Sequence, residues 1–157
     1  MISIAPIAPT VRQCGECNLC CQGWLAAKVL EHDMKPGSPC PHCRVDGCGI
    51  YDHRPSDPCR TFACGWLAPA SPFPEDFRPD KLGVIVLKID WRGRRAWVLV
   101  PAGQYPDERL LEHMRQYSTS TGEPHLIVKK PGNLLCFGSV EFQQDMVAME
   151  QRGENPW

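Results

Sequence analysis

The sequence predicts an α+β protein in which a small, irregular, Cys-rich half packs on a small antiparallel sheet with one or two helices. Three observations support this fold class. Nine of the ten cysteines fall between Cys14 and Cys64, in a segment with many turn-forming residues and little apolar periodicity. The Pro-rich connection at 67–79 cannot form a regular helix. After Lys81 the apolar residues follow the spacings of ordinary strands and helices.

The first elements of the second half are two strands that form a hairpin over residues 82–100. The runs "LGVIVLKI" and "AWVLV" are β-branched and apolar, which favours strands. The intervening "DWRGRR", residues 90–95, carries a glycine among charges and is typical of a turn. We therefore expect an antiparallel pair.

A helix is predicted next, at 107–118. Asp107 is a suitable N-cap, and apolar side chains recur on one face of the following residues. That face holds Leu110, Leu111, Met114 and Tyr117. A third strand is expected at 125–130, a turn at Pro131-Gly132-Asn133, and a final helix at 141–151 that ends at Gly153.

Length and charge limit the classes of function. At 157 residues the chain is expected to be a single domain over 1–157, with a cysteine-cluster region at 13–66 and an α+β region at 81–153. The net charge of -1 gives no global attraction to nucleic acid, which disfavours a nucleic-acid partner. The N-terminus lacks a secretory pattern, and no apolar run approaches a membrane helix. We expect a cytoplasmic protein without a membrane partner, whose thiols stay reduced, which weakens a disulfide interpretation.

The cysteine spacing is the strongest functional signal in the chain. It runs C-x2-C-x2-C-C, then C-x2-C-x4-C, then C-x4-C. A C-x2-C unit forms a tight turn that directs two thiolates at one metal. One such unit also occurs in redox pairs, but three of them within one short segment indicate a metal site. The candidate ligands are Cys14, Cys17, Cys20, Cys21, Cys40, Cys43, Cys48, Cys59 and Cys64.

The adjacent pair Cys20 and Cys21 raises a specific question. Neighbouring side chains of an extended backbone point to opposite sides, so two adjacent thiols do not easily share one isolated ion. Either they serve two metal centres, or one binds metal and the other packs or reacts. Nine thiols also exceed the four of one tetrahedral site.

Several residues around the cysteines are expected to support the site. Arg54 and Arg60 flank the path into Cys59 and are candidate hydrogen-bond donors to metal-bound sulfur. Tyr51 is a third supporting residue. Together with Phe62 and Trp66 it is expected to pack around the site and limit water access. His42 and His53 could complete a zinc site as nitrogen ligands, but with thiols in surplus they are expected to be exposed or to lie behind the ligands. Cys136 is interpreted as a small buried hydrophobe.

The same residues resemble a known family. "CGECNLCC", "PCPHC" and "DGCGIYDHRPSDPCRTFAC" are similar to the YkgJ-type cysteine-cluster family, described as a zinc- or iron-chelating domain. The similarity covers about residues 13–66, and its matching residues are Cys14, Cys17, Cys20, Cys21, Cys40, Cys48, Tyr51, Arg54, Pro55, Cys59, Arg60 and Phe62. The chain departs from the family at Cys43, where many members have Leu or a similar residue. The resemblance implies metal chelation and leaves the metal open.

Three functional hypotheses follow. The leading one is a protein that chelates iron, as an iron–sulfur cluster, or Zn²⁺, because thiolates are soft ligands that disfavour Mg²⁺ and Ca²⁺. The run C-x2-C-x2-C favours iron–sulfur, although the full ferredoxin pattern is absent, and the C-x2-C turns favour zinc. A second hypothesis is an iron–sulfur oxidoreductase or electron carrier that uses the same cluster. A third is a zinc-stabilised interaction module for an unidentified protein partner.

Overall fold

The computed structural model describes residues 12–130 and 133–154. The N-terminal segment and the first two residues of the predicted turn, Pro131 and Gly132, lie outside the described residues. Asn133, predicted in the same turn, is instead the first residue of a strand, because it pairs with Lys130. Within the two described ranges, none of the helices has the length and apolar character that crossing a membrane requires.

The Cys-rich half consists of short elements joined by turns. Strand β1 (Ala27–Val29) pairs antiparallel with β2 (His32–Met34), and β3 (Cys43–Arg44) pairs antiparallel with β4 (Gly47–Cys48). Short helical turns complete this half, and they span Leu19–Cys21, Tyr51–His53 and Ser56–Arg60. None of these short strands or turns is evident in the apolar pattern of the sequence.

The second half is a four-stranded sheet in the order β5-β6-β7-β8, and it begins after a short helix, α1 (Pro79–Leu82). Its strands are β5 (Val84–Trp91), β6 (Arg94–Pro101), β7 (His125–Lys130) and β8 (Asn133–Phe137). The predicted hairpin is confirmed, but its turn is only Arg92 and Gly93, not the whole of 90–95, because both residues take the positive φ of a tight hairpin turn.

Two longer helices accompany the sheet. Helix α2 (Glu108–Thr121) follows Asp107, whose side chain accepts a hydrogen bond of 2.8 Å from the Leu110 amide, which confirms the predicted cap. Helix α3 (Val140–Gln151) begins after Ser139, and its C-terminal turn reaches Gly153. Both helices lie where the sequence predicts them.

The connection through α2 makes one pair of strands parallel. Strands β6 and β7 pair parallel, while β5–β6 and β7–β8 pair antiparallel. A helical crossover is the usual link between parallel strands. The α+β class is confirmed, and the sheet is mixed where the sequence predicted antiparallel strands.

Alternate residues of the strands point to opposite faces of the sheet, and each face carries its own core. The α2-side core contains Trp66, Phe73, Phe77, Leu82, Val84, Val86, Trp97, Leu99, Leu110, Met114 and Ile127. The α3-side core contains Leu19, Leu25, Ile85, Leu87, Ala96, Val98, Val100, Ala102, Leu126, Phe142 and Met146. Since Leu19 and Leu25 belong to the Cys-rich half, that half packs on the same face of the sheet as α3.

Candidate metal centre

Two of the three C-x2-C units are hydrogen-bonded turns. The Cys17 amide donates to the Cys14 carbonyl at 2.9 Å, and the Cys43 amide donates to the Cys40 carbonyl at 3.0 Å. These bonds hold each pair of cysteines at the turn geometry that metal-binding C-x2-C units use. The predicted turns are confirmed at these two positions.

Backbone contacts bring distant cysteines together. The Cys40 amide donates to the Cys21 carbonyl at 3.0 Å, which joins the first cysteine segment to the second. In the β3–β4 hairpin, Cys43 lies directly opposite Cys48. The turn at Ser56–Arg60 brings in Cys59, and it packs against β1.

Cys64 is held from the sheet. It precedes Gly65, whose amide donates to the carbonyl of Val86 in β5. Cys64 packs against both sheet cores, so its thiol is positioned by β5 and not by the short hairpins.

The nine clustered thiols fall into two groups. The first we call the sheet-side thiols; three of them pack against the α3-side core, and the group consists of Cys14, Cys17, Cys20 and Cys64. The second we call the hairpin-side thiols; four of them pack with Val29 and Met34 in a small core, the fifth, Cys48, lies opposite Cys43, and the group consists of Cys21, Cys40, Cys43, Cys48 and Cys59. The division passes between the two adjacent cysteines.

Electrostatic neighbours follow this division in part, since Cys21 also raises the pKa of Cys14 and of Cys20 across it. Burial is the main reason that the pKa of Cys64 is raised, and negative charge on Cys14 and Cys17 raises it further. Burial likewise raises the pKa of Cys59, with further contributions from Cys21 and Cys40. Each of these thiols therefore lies within electrostatic reach of members of its own group.

The adjacent pair does not have the geometry that the sequence suggested. Cys20 and Cys21 lie in a 3-10 turn, not in extended backbone, and their Sγ atoms are 3.9 Å apart. The expectation that they point to opposite sides is therefore wrong, because successive side chains of a 3-10 turn are separated by about 120°. A hydrogen bond between the two sulfurs raises the pKa of Cys20 and lowers the pKa of Cys21.

Burial favours the protonated form of five of these thiols. It is the largest cause of the raised pKa of Cys14, Cys17 and Cys43, as it is for Cys59 and Cys64. Thiolates, not thiols, bind metal, so metal binding at these positions has to displace protons.

A cavity joins the two groups. Every cysteine from Cys14 to Cys59 lines this cavity of about 920 Å³, while Cys64 lies outside its lining. Within residues 12–130 and 133–154, no three His, Cys, Asp or Glu side chains stand in an arrangement that holds a metal ion. The thiols thus share a cavity without converging on one point. Rotation about the single Cα–Cβ bond of a cysteine moves its sulfur without moving the backbone.

Arg54 and Tyr51 lie at this cavity. The Arg54 guanidinium stacks over the Tyr51 ring at 3.7 Å from the ring centre, and its charge lowers the pKa of Cys14 and of Cys59, opposing the larger effect of burial. The Arg54 Nε is buried and has no hydrogen-bond partner among the described residues. A buried donor without an acceptor is costly, and a thiolate or sulfide bound to metal would satisfy it.

Arg60 lines the cavity, and two of its donor groups bond to backbone. Its Nε donates to the Arg54 carbonyl at 3.0 Å, and an Nη donates to the Asp52 carbonyl at 2.9 Å. These bonds hold the loop before Cys59. Arg60 therefore positions Arg54 through the backbone, and its Nε and one Nη are used by main-chain carbonyls and not by sulfur.

Only two of the three aromatic side chains that were predicted to pack around the site lie beside the thiols. Tyr51 and Phe62 line the cavity and are exposed, whereas Trp66 is buried in the α2-side core. The Trp66 indole donates to the Pro74 carbonyl at 3.2 Å, so it supports the sheet and not the thiols. His42 lines the cavity, and Cys136 packs against the α3-side core as a small apolar side chain.

Sequence reasoning overlooked Asn18. Its side-chain amide donates to the Arg44 carbonyl, which ties the first cysteine segment to the β3–β4 hairpin. The available signal was its position between Cys17 and Cys20, where a short polar side chain can bond to backbone.

Comparison with family models, with curated proteins and with solved structures found no match for this chain. The inference about function therefore depends on the thiols, their turns and the cavity that they line.

Proposed function

We propose that this protein chelates a metal, either iron in an iron–sulfur cluster or Zn²⁺, through its clustered cysteines. The observation that supports this most directly is the shared cavity. Three separate segments, 14–21, 40–48 and 59–64, bring nine cysteines to one region of the fold, and all but Cys64 line one cavity. The cytoplasmic location expected from the sequence belongs to this proposal, because reduced thiols are needed for it.

The chemistry of the donors favours soft or borderline metals. Thiolates select Zn²⁺ and iron–sulfur clusters over Mg²⁺ and Ca²⁺. An iron–sulfur cluster would supply one-electron transfer, and Zn²⁺ would supply stability to a segment built from very short strands. The Arg54 Nε, which has no partner in the part of the chain that the structure describes, fits either metal, since both leave negative charge on the ligating sulfur.

The resemblance of residues 13–66 to the YkgJ-type cysteine-cluster family supports the same proposal. The residues that carry the resemblance include Tyr51 and Arg54, which stack on each other beside the thiols. Cys43, where the chain departs from that family, lies opposite Cys48 among the hairpin-side thiols. Its position is a reason to retain it among the candidate ligands.

A redox role is the second candidate function. It is favoured by the contact between the Cys20 and Cys21 sulfurs, 3.9 Å apart, and by the opposite shifts of their pKa values. A thiol with a lowered pKa is the more reactive member of such a pair.

Anaerobic purification followed by metal analysis and an absorption spectrum tests the proposal. Iron with acid-labile sulfide and a broad visible absorption would support an iron–sulfur protein, and a colourless protein with stoichiometric zinc would support a zinc protein. A chain that holds neither metal, and takes up neither under reducing conditions, would contradict the proposal. Reversible electrochemistry of the loaded protein separates the redox role from a purely structural one.

A further inference from the structure

We infer that the cysteines build two adjoining metal centres and that the boundary between them passes between Cys20 and Cys21. The sheet-side thiols would hold one centre and the hairpin-side thiols the other. This inference rests on the proposed function, because it assigns thiols to metals that the proposal introduces. Neither the spacing of the cysteines nor the family resemblance makes this assignment.

The sheet-side thiols form one unit because the sheet positions them. Cys17, Cys20 and Cys64 pack against the α3-side core, and Leu19, between two of them, is buried in that core. Cys64 is fixed through the backbone bond from Gly65 to β5. Together with Cys14, whose carbonyl accepts from the Cys17 amide, they supply four sulfurs, the number that a tetrahedral centre requires.

The hairpin-side thiols form a second unit by contacts that do not involve the sheet. The Cys40 amide bonds to the Cys21 carbonyl, and the Cys43 amide bonds to the Cys40 carbonyl. Cys48 lies opposite Cys43 across the hairpin, and Cys59 packs on the same small core as Cys40. This unit has five sulfurs, one more than a tetrahedral ion needs.

The short contact between the adjacent sulfurs permits a competing interpretation. With metal–sulfur bonds of about 2.3 Å, two ligands of one tetrahedral zinc ion are separated by about 3.8 Å, close to the observed 3.9 Å. One ion could thus take both Cys20 and Cys21. Such an ion would draw two further ligands and leave most of the nine thiols unused. Two adjoining centres assign a role to the thiols of both groups. They also agree with the packing of Cys20 on the α3-side core and of Cys21 on the small core of the other group.

Arg54 lines the cavity that thiols of both groups share, and a positive charge there would be favourable. The negative charges of Cys14, a sheet-side thiol, and of Cys48, a hairpin-side thiol, both contribute to the raised pKa of Arg54, behind its hydrogen bond to Tyr51. A centre of four thiolates and one Zn²⁺ has a net charge of about −2, so two neighbouring centres repel each other. A guanidinium within reach of both reduces that repulsion.

The test loads the full chain with ¹¹³Cd²⁺, a probe for thiolate sites, under anaerobic reducing conditions. Two matched double variants each remove one C-x2-C turn, namely Cys14→Ala with Cys17→Ala, and Cys40→Ala with Cys43→Ala. The variant Cys136→Ala is the control, because Cys136 lies outside both groups. Cadmium per chain and the ¹¹³Cd NMR spectrum are the readouts.

Two centres predict distinct cadmium signals in the wild-type chain and in Cys136→Ala. Each double variant should lose the signals of one centre, keep those of the other, and hold about half of the bound cadmium. If both double variants lose the same signals, or all cadmium, the thiols form a single centre and the inference is wrong. A wild-type chain that binds no cadmium would overturn the proposed function itself, which is a separate outcome.

A single substitution distinguishes the loss of a ligand from the loss of the fold. Cys20→Ala removes one sheet-side thiol only, and tryptophan fluorescence, to which the buried Trp66 and Trp97 contribute, reports whether the core on the sheet is intact. With the fold intact, Cys20→Ala should weaken only the signals that the Cys14/Cys17 variant loses. Loss instead of the signals that depend on Cys40 and Cys43 would refute the assignment.

Discussion

Gly65 is the point at which the Cys-rich half is attached to the sheet, and replacing it with Ala should destabilise the protein. The Gly65 amide bonds to the Val86 carbonyl, which places Cys64 beside the sheet-side thiols. A Cβ at position 65 would lie 2.9 Å from Trp97 Cζ3, 3.0 Å from Phe73 Cε2 and 3.1 Å from the Val86 oxygen. All three distances are too short for an unstrained carbon contact.

The expected magnitude follows from how little these neighbours can move. Trp97 and Phe73 are 0% and 2% exposed, and they pack on each other edge to face at 5.3 Å between ring centres. Neither ring can turn into solvent, so the added methyl group has to displace packed core. Overpacking of this kind costs about 1–3 kcal/mol of the free energy of unfolding. For a chain of this size the Tm should fall by roughly 2–4 °C per kcal/mol.

Gly49→Ala is the matched control. Like Gly65, Gly49 follows a clustered cysteine and does not take a positive φ, but its nearest neighbour is the side chain of Arg44, at 2.6 Å. Arg44 is exposed and can move, so this substitution should change the free energy of unfolding by less than about 0.5 kcal/mol. Urea unfolding followed by tryptophan fluorescence measures both variants. Equal stability of Gly65→Ala and Gly49→Ala would refute the packing argument.

Three further predictions concern charge and protons. Burial lowers the pKa of His125 from 6.5 to about 4, so below pH 6.5 the unfolded chain binds a proton that the folded chain does not. The free energy of unfolding should fall by about 2 kcal/mol between pH 7 and pH 5 in urea titrations, and His125→Asn should reduce this slope. Glu123 accepts hydrogen bonds from Arg95, Trp97 and Tyr117, so Glu123→Gln should cost about 1–3 kcal/mol in the same assay. Because burial raises the pKa of most clustered thiols, the affinity for Zn²⁺ in chelator competition should fall as pH falls, by about tenfold per pH unit for each thiol that loses its proton.

Each of these predictions has a result that would contradict it. An unchanged pH slope in His125→Asn would mean that other groups carry the acid sensitivity. Glu112→Gln, on the exposed face of α2, is the control for Glu123→Gln, and equal losses would remove the case for the buried network. A zinc affinity independent of pH between 6 and 8 would show that the ligands are not protonated thiols.

The periodic half of the fold could be predicted from the sequence because its signals are local. Asp107 caps α2, and the burial of the first four residues of β5 on both faces of the sheet follows from its apolar run. The parallel pairing of β6 with β7 could not be predicted, since it depends on which edge of the β5–β6 hairpin the chain reaches after α2. Strand β8 was missed because "LLCF" is too short and too irregular in its exposure to show a period.

The sequence indicated which cysteines are candidate ligands, but not how they are arranged in space. The spacing of the cysteines predicted three C-x2-C turns, of which two are hydrogen-bonded, and it predicted a compact region of thiols, of which eight line one cavity. It could not predict that Cys20 and Cys21 lie in a 3-10 turn, because two adjacent residues carry no periodicity. Nor could it predict the bond from Cys40 to Cys21, which joins segments that are separated along the chain.

Native mass spectrometry of the wild-type chain, purified without oxygen and then exposed to Zn²⁺, tests most directly whether the clustered thiols bind metal. The account predicts a chain that carries metal, with one proton lost for each thiol that becomes a ligand, and that releases the metal when acid returns those protons. A chain that keeps its metal-free mass in excess Zn²⁺ under reducing conditions would contradict the account.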